Sequence, residues 1–164
     1  MALVKTYGCK QINSATITED GSMPAVLTEL CKTYRDSVTF SEDEATVTDE
    51  FSDQEDDPVH TFVVKGGKNI TFSTFDYSPE TLVKLKGGTI VDGQWAEPVV
   101  MPEIYEAIEI LTNADLPFHF PKCRVFARFN ASFVKSGLSL LEVTLKPLSP
   151  GDGKSAVLIG KKTP

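Results

Sequence analysis

Residues 124–133 place the strongest constraint on the fold, because apolar side chains alternate there with a second set that is polar except for Phe126. A period of two puts successive side chains on opposite faces of an extended chain, so the pattern predicts a β-strand. The apolar face holds Val125, Ala127, Phe129, Ala131 and Phe133. Lys135-Ser-Gly137 follows as a turn, and residues 138–145 then predict the second strand of a hairpin.

Shorter segments with β-branched or alternating residues predict further strands. They lie near residues 14–18, 37–40, 59–64, 70–75, 88–92, 104–112, 116–120 and 156–160. Residues 65–69 have turn chemistry and join the strands at 59–64 and 70–75. Residues 25–34 fit either a short amphipathic helix or a core strand. Residues 104–112 also fit both, but the turn signal at 113–115 favours a strand.

A single short helix is predicted at residues 79–86. Ser78 stands at the N-cap, Pro79 at the first helical position and Glu80 in the first turn. Two lysines occupy the last turn and Gly87 follows them. Such a helix must dock on the sheet, here through Leu82, Val83 and Leu85. We expect seven to nine of these segments to form strands, and that number with one flanking helix predicts a mainly β fold, an antiparallel β-sandwich or barrel.

The chain of 164 residues fits one domain, residues 1–164. We expect an N-terminal arm at residues 1–24, with one strand near 14–18, and a turn-rich C-terminal tail at residues 151–164. Between them, residues 41–58 predict a long acidic loop or hairpin that ends at Asp57-Pro58.

The formal net charge of −7 is concentrated in one segment. Residues 36–64 hold ten acidic side chains and no Lys or Arg, and residues 42–57 hold nine of those ten. From residue 116 onward, eight basic side chains face only Glu142 and Asp152. An acidic excursion is therefore set into a mildly basic body, and the overall acidic charge argues against a protein that grips nucleic-acid phosphates.

Neither a catalytic motif nor a cofactor motif is evident, so we expect no enzyme activity and no cofactor. The glycine pairs at 66–67 and 87–88 lack the phosphate-loop pattern. His60 and His119 sit among strand residues, and three widely spaced cysteines (Cys9, Cys31 and Cys123) form no metal or disulfide pattern. Residues 53–57 are acidic but lack the order of a calcium-binding loop, so we expect no metal site.

Membrane anchoring is not expected either. No run approaches the roughly 18 apolar residues of a membrane span, and no apolar stretch follows the N-terminal lysine as in a secretory signal.

Three stretches together resemble the major tail proteins, or tail tube proteins, of long-tailed bacteriophages and of related injection-device tubes. Residues 68–82 read Lys-Asn-Ile-Thr-Phe-Ser-Thr-Phe-Asp-Tyr-Ser-Pro-Glu-Thr-Leu. Residues 86–89 read Lys-Gly-Gly-Thr, and residues 94–98 read Gln-Trp-Ala-Glu-Pro. The resemblance extends over residues 27–150. The residues that carry it are Asp76, Pro79, Glu80, Leu82, Gly87, Gly88 and Trp95.

The resemblance implies a structural protein of the virion tail, made in the cytoplasm of a bacterial host. Its partners would be further copies of itself and other phage tail proteins. Subunits of this kind are β-sandwiches that form rings, commonly of six, and the rings stack into a tube. DNA passes through the lumen without specific binding.

The resemblance also assigns a role to the charged segments. A long loop would reach the neighbouring ring, and its acidic residues would be Glu42, Asp43, Glu44, Asp49, Glu50, Asp53, Glu55, Asp56 and Asp57. A complementary basic face would come from Lys122, Arg124, Arg128, Lys135 and Lys146. Charge segregation of this kind steers head-to-tail contacts.

A second interpretation of the same residues is a non-enzymatic binding module. It would be an immunoglobulin-like or adhesin-type sandwich whose acidic loop binds cations or a basic partner.

Overall fold

A computed structural model describes residues 2–161, which form strands and one helix. The last three residues of the predicted C-terminal tail therefore lie outside the described part. The elements in chain order are β1 (Gln11–Thr16), β2 (Thr28–Cys31), β3 (Thr39–Glu42), β4 (Thr46–Glu50), β5 (His60–Val64), β6 (Lys68–Thr74), α1 (Pro79–Lys86), β7 (Thr89–Val91), β8 (Gln94–Ala96), β9 (Ile104–Leu111), β10 (Pro117–Asn130), β11 (Leu140–Pro147) and β12 (Leu158–Ile159).

Eight strands form one antiparallel sheet in the order β2-β1-β9-β10-β11-β6-β3, with β12 paired to β10. Two further hairpins, β4-β5 and β7-β8, form separate two-stranded sheets. The prediction of a mainly β, antiparallel fold with one short helix is therefore confirmed. Residues 25–34, which fitted either a helix or a strand, contain strand β2, and residues 104–111 are strand β9.

The core lies against one face of the large sheet, where alternate residues of each strand are buried. Ile70, Phe72 and Thr74 of β6 fall on that face, as their alternation predicts. Phe120 is fully buried and meets Phe40 edge to face, with ring centroids 5.0 Å apart. Other large side chains of the core include Ile12, Ile108, Val125, Leu141, Val143 and Leu145.

The segment that follows β2, at one edge of the sheet, contacts β6, which is next to the strand at the opposite edge. The Tyr34 amide donates to the Ser73 carbonyl at 2.7 Å, and the Thr74 hydroxyl donates to the Lys32 carbonyl at 2.6 Å. These bonds tie the segment after β2 to the end of β6, so the sheet folds over its core. Helix α1 covers the core from outside through Leu82 and Leu85, while Val83 is only partly buried.

Several strand boundaries differ from their predictions, most of all at the N-terminal strand and at β10 and β11. The N-terminal strand lies at Gln11–Thr16, inside the predicted arm, and pairs with β9 and β2. Its Ile12 is fully buried, so these residues belong to the core. Strand β10 joins the two strands predicted at 116–120 and 124–133 and ends at Asn130, while β11 begins two residues later than predicted. Phe133 continues the alternation but is 94% exposed.

Across residues 2–161, the structure contains no helix with the length and hydropathy needed to cross a membrane.

Candidate assembly surfaces

The acidic segment forms the outer part of one long β-ribbon. In the main sheet, β3 pairs with β6 from Thr39 opposite Thr71 to Glu42 opposite Lys68. The β4-β5 ladder then begins with Thr46 opposite Val64. Both residues are four positions from the Glu42–Lys68 pair, so the two ladders share one register. We call residues 43–67, which lie beyond the Glu42–Lys68 pair, the acidic arm.

This pairing corrects the predicted connection between residues 59–64 and 70–75. These two strands do not form a hairpin with each other, because β5 pairs with β4 while β6 pairs with β3 and β11. Residues 65–67 run alongside residue 43, and the Asp43 amide donates to the Gly67 carbonyl at 2.8 Å. The two backbone segments approach each other closely here, since a Cβ at Gly66 would collide with the Asp43 carbonyl oxygen. Gly66 serves this close approach, and the glycine pair does not form a turn.

The acidic arm exposes apolar side chains on both of its faces. Val47 and Val63 are opposite each other on one face, whereas Phe62 and Val64 lie on the other. Each of these four side chains is 52–65% exposed. A two-stranded hairpin is only marginally stable by itself, and exposed apolar surface commonly marks an interaction site. The arm is therefore a candidate interaction surface.

The nine predicted loop carboxylates are all exposed along this arm and its base. Glu42 pairs with Lys68 at 3.7 Å, and Asp49 accepts a hydrogen bond from the Thr61 hydroxyl at 2.7 Å. Within the described residues, Glu42 is the only one of the nine with an ionic partner. Four carboxylates crowd the tip of the arm: Asp53, Glu55, Asp56 and Asp57.

Three of the predicted basic residues, Arg124, Arg128 and Lys146, fall on one face of the β10-β11 hairpin by their pairing and alternation. Arg124 and Lys146 are opposite each other in the β10-β11 ladder, and the Lys122 ammonium lies 4.9 Å from the centre of the Tyr105 ring. Arg128 pairs with Glu142 near the other end of the hairpin. Lys135 lies still further along, in the connection between β10 and β11.

A basic groove beside the base of the arm was missed by the sequence analysis. It has a volume of about 670 Å³ and is lined by residues 65–68, 147–149 and 154–157. The lining includes Lys65, Lys68 and Lys154 and no acidic residue. These three segments are far apart in the sequence, so only the fold brings their charges together.

The residues of the tail-protein resemblance come together around α1. Asp76 accepts hydrogen bonds from the Ser78 amide at 3.0 Å and the Thr81 hydroxyl at 2.7 Å. Asp76 therefore supplies the side-chain contacts to the start of the helix that were expected from Ser78, which makes no side-chain cap bond. Partial burial by itself would raise the pKa of Asp76, but the hydrogen bonds from Ser78 and Thr81 outweigh it and lower the pKa.

Gly87, Gly88 and Trp95 form the other end of this unit. Gly87 ends the helix with φ 77° and donates its amide to the Val83 carbonyl at 3.0 Å. The Trp95 indole N–H donates to the Gly87 carbonyl at 2.8 Å, and a Cβ at Gly88 would collide with the Ala96 carbonyl oxygen. Helix α1 and the β7-β8 hairpin are thereby fastened together.

An aromatic cluster holds this unit against the β10-β11 hairpin. Phe129 lies 6.0 Å from Trp95 and 6.5 Å from Tyr77, measured between ring centroids. The Lys86 ammonium lies 4.6 Å from the centre of the Phe129 ring and donates to the Ala127 carbonyl at 2.9 Å. Beyond Phe129, the connection between β10 and β11 exposes Phe133, Val134 and Leu138.

The remaining polar candidates have structural partners. His119 lies 2.7 Å from the Glu109 carboxylate, which also accepts a bond from the Asn13 amide at 2.8 Å. His60 is on the exposed arm with its ring against Phe62. Among residues 2–161, no group of three or more His, Cys, Asp or Glu side chains is arranged to hold a metal ion.

No protein-family model matches the chain, and no curated protein matches its sequence.

Proposed function

We propose that this chain is a structural subunit that assembles with copies of itself into stacked rings, forming the tail tube of a bacteriophage virion. The observation that carries the proposal is the acidic arm. It continues the main sheet in register, exposes apolar residues on both faces and bears carboxylates that have no ionic partner within the described chain. A surface of this kind gains stability when a neighbouring subunit covers it.

The placement of the two long hairpins supports head-to-tail assembly. The acidic arm leaves the sheet beyond Lys68, at one end of β6. The apolar connection of β10-β11 leaves beyond Leu140, which adjoins the other end of β6 through the pairing of Leu141 with Thr74. Two different surfaces at opposite ends of neighbouring strands favour heterologous contacts, and these propagate into closed rings or open stacks.

The proposed role of the arm is to connect one ring to the next. DNA would contact only the inner wall of the stacked rings. Overall charge agrees with such a conduit. A net charge of −7 disfavours the retention of DNA that many lysine and arginine contacts to phosphates would produce. The tail-protein resemblance, whose residues pack as one unit around α1 and Trp95, is the source of the more specific assignment to a virion tail.

Negative-stain electron microscopy of the purified chain tests the proposal. We expect rings or tubes about 100 Å wide to appear as the protein concentration is raised, because ring stacking is an equilibrium between copies. A protein that stays monomeric at every concentration, with or without other tail proteins, contradicts the tube assignment. A binding module would instead remain monomeric, and its arm would become protected from hydrogen exchange only when a cation or basic partner is added.

A further inference from the structure

We propose that the basic groove beside the arm is the receptor for the acidic tip of a second copy of this chain. This inference rests on the proposed self-assembly and names the two surfaces that meet. The groove is formed by residues 65–68 on one wall and by residues 147–149 and 154–157 on the other. The tip is formed by residues 53–57, which read Asp-Gln-Glu-Asp-Asp.

The charges of the two surfaces are complementary. Lys65, Lys68 and Lys154 line the groove, and the Lys146 ammonium lies at its margin, 3.4 Å from the Asn69 side-chain oxygen and 3.5 Å from the Lys68 carbonyl. Among the described residues, neither Lys65 nor Lys154 makes an ion pair. The tip offers four carboxylates within five residues, so each surface carries the charge that the other lacks.

The groove also has room and hydrogen-bonding groups for a peptide segment. Its volume of about 670 Å³ can take several side chains of an inserted loop. Ser155 is part of its lining, and its hydroxyl can donate to a carboxylate between the lysines. A lysine is a point charge with three donors, so it tolerates more than one carboxylate geometry.

The tip of the arm cannot fill the groove of its own subunit. Lys65 adjoins the base of the β4-β5 ladder, whereas the tip lies beyond the Glu50–His60 pair. The rise along the strand from Thr46 to Glu50 alone amounts to about 13 Å. Ion pairing requires about 4 Å, so the occupant must come from another copy while the ladder is intact. A tip of one copy in the groove of another is a heterologous contact, which continues from copy to copy.

Zero-length cross-linking of the full chain tests the contact directly. A mixture of ¹⁵N-labelled and unlabelled protein is treated with a carbodiimide, which joins carboxylates to amines that already form ion pairs. We expect mixed-isotope cross-links between residues 53–57 and Lys65 or Lys154. Cross-links from the tip to Lys122 or Lys135 instead, or no mixed-isotope cross-link from the tip, would overturn the inference.

Charge reversal provides a second test that does not depend on native lysines. One variant reverses the groove (Lys65→Glu with Lys154→Glu), and another reverses the tip (Asp53→Lys with Glu55→Lys). Each variant alone should self-associate at least about tenfold more weakly, because like charges then face each other. Mixing the two variants should restore association and create new cross-links between the substituted positions.

A matched control and the folding controls complete the design. Lys5→Glu with Lys84→Glu changes the net charge equally at exposed positions outside the groove and should associate like the unsubstituted chain. Circular dichroism must be unchanged for every variant. If the two reversed variants fold but do not restore association when mixed, the groove is not the receptor.

The two proposals can fail separately. Rings or tubes that lack cross-links from the tip to the groove would leave the tube assignment standing and reject the groove. Tip-to-groove cross-links in a protein that forms pairs but no rings at any concentration would support the groove and contradict the tube.

Discussion

Gly66 is the residue at which the main sheet passes into the acidic arm. Its missing side chain lets the chain approach the Asp43 carbonyl more closely than a Cβ would permit. We expect Gly66→Ala to lower the free energy of unfolding by about 1–3 kcal/mol, because backbone has to move to admit the methyl group. Urea denaturation measures this change.

Gly137 supplies the matched control for that substitution. A Cβ there would make only an ordinary contact, 3.7 Å from a methyl group of Val134. Gly137→Ala should therefore change stability by less than about 0.5 kcal/mol. Equal effects of the two substitutions would show that the close approach between residues 43 and 66 is not required.

Asp76 is the second residue whose role can be tested individually. Asp76→Asn should destabilise the fold by about 0.5–1.5 kcal/mol at pH 7, because Asn keeps one acceptor oxygen but loses the carboxylate oxygen that accepts from the Thr81 hydroxyl. The folded pKa of Asp76 is lowered, so its ionised form contributes stability above the unfolded pKa of about 3.9. That contribution is lost as the pH falls through the lower folded pKa.

The pH dependence separates charge from shape in the Asp76 prediction. Thermal unfolding of both proteins should differ most near pH 7 and converge as the pH falls below about 3.9. A difference that stays constant down to pH 2 would mean that the ionised carboxylate is not what stabilises the start of α1.

At the scale of elements, the acidic arm should be separable from the fold. Because the Asp43 amide bonds to the Gly67 carbonyl, an Asn-Gly turn in place of residues 44–66 would close β3 and β6 into a short hairpin. We expect this variant to fold with an unchanged core, since every residue of β4 and β5 is exposed. It should not form stacked rings.

Circular dichroism and electron microscopy of the shortened variant measure these two outcomes. Replacement of residues 131–139 by a turn of equal size and charge gives a comparison in which the other hairpin is altered. A shortened variant that still polymerises like the full chain would reject the proposed role of the arm.

The sequence predicts elements best where the signals are local. Helix α1 has its expected bounds because Pro79 and Gly87 act on their immediate neighbours. Pairing is less predictable, since alternation in residues 59–64 indicates a strand but not its partner. The glycine pair at 66–67 has the composition of a turn, and only the approach of Asp43 explains it. Likewise, Phe133 continues the alternation of β10 but lies beyond the end of that strand. It is exposed, so the pattern at this position does not indicate a core residue.

At the scale of the whole molecule, the separation of charge predicts a dependence of assembly on salt. The exposed carboxylates of the arm and the lysines of the groove attract each other through solvent, where the Debye length falls from about 10 Å at 0.1 M salt to about 3 Å at 1 M. We expect the protein concentration needed for assembly to rise with sodium chloride between these values, while the fold itself is unaffected.

Sedimentation at several salt concentrations measures this effect, with circular dichroism as the control for folding. Assembly that is equally strong at 0.1 M and 1 M salt would mean that the apolar side chains of the arm, such as Phe62 and Val63, are sufficient for the contact.

The basic groove could not have been predicted from single residues or from single strands. Its three segments converge only when β6, β11 and the C-terminal residues occupy their places in the sheet.

The unbroken register from β3-β6 into β4-β5 also restricts how this arm can change during evolution. An insertion of one residue in one strand alone would shift every later pair and exchange the two faces of that strand. Matched insertions of two residues in each strand keep both pairing and facing, and they lengthen the arm by about 7 Å. Natural variants of this protein should therefore differ in arm length by steps of four residues, divided equally between the two strands.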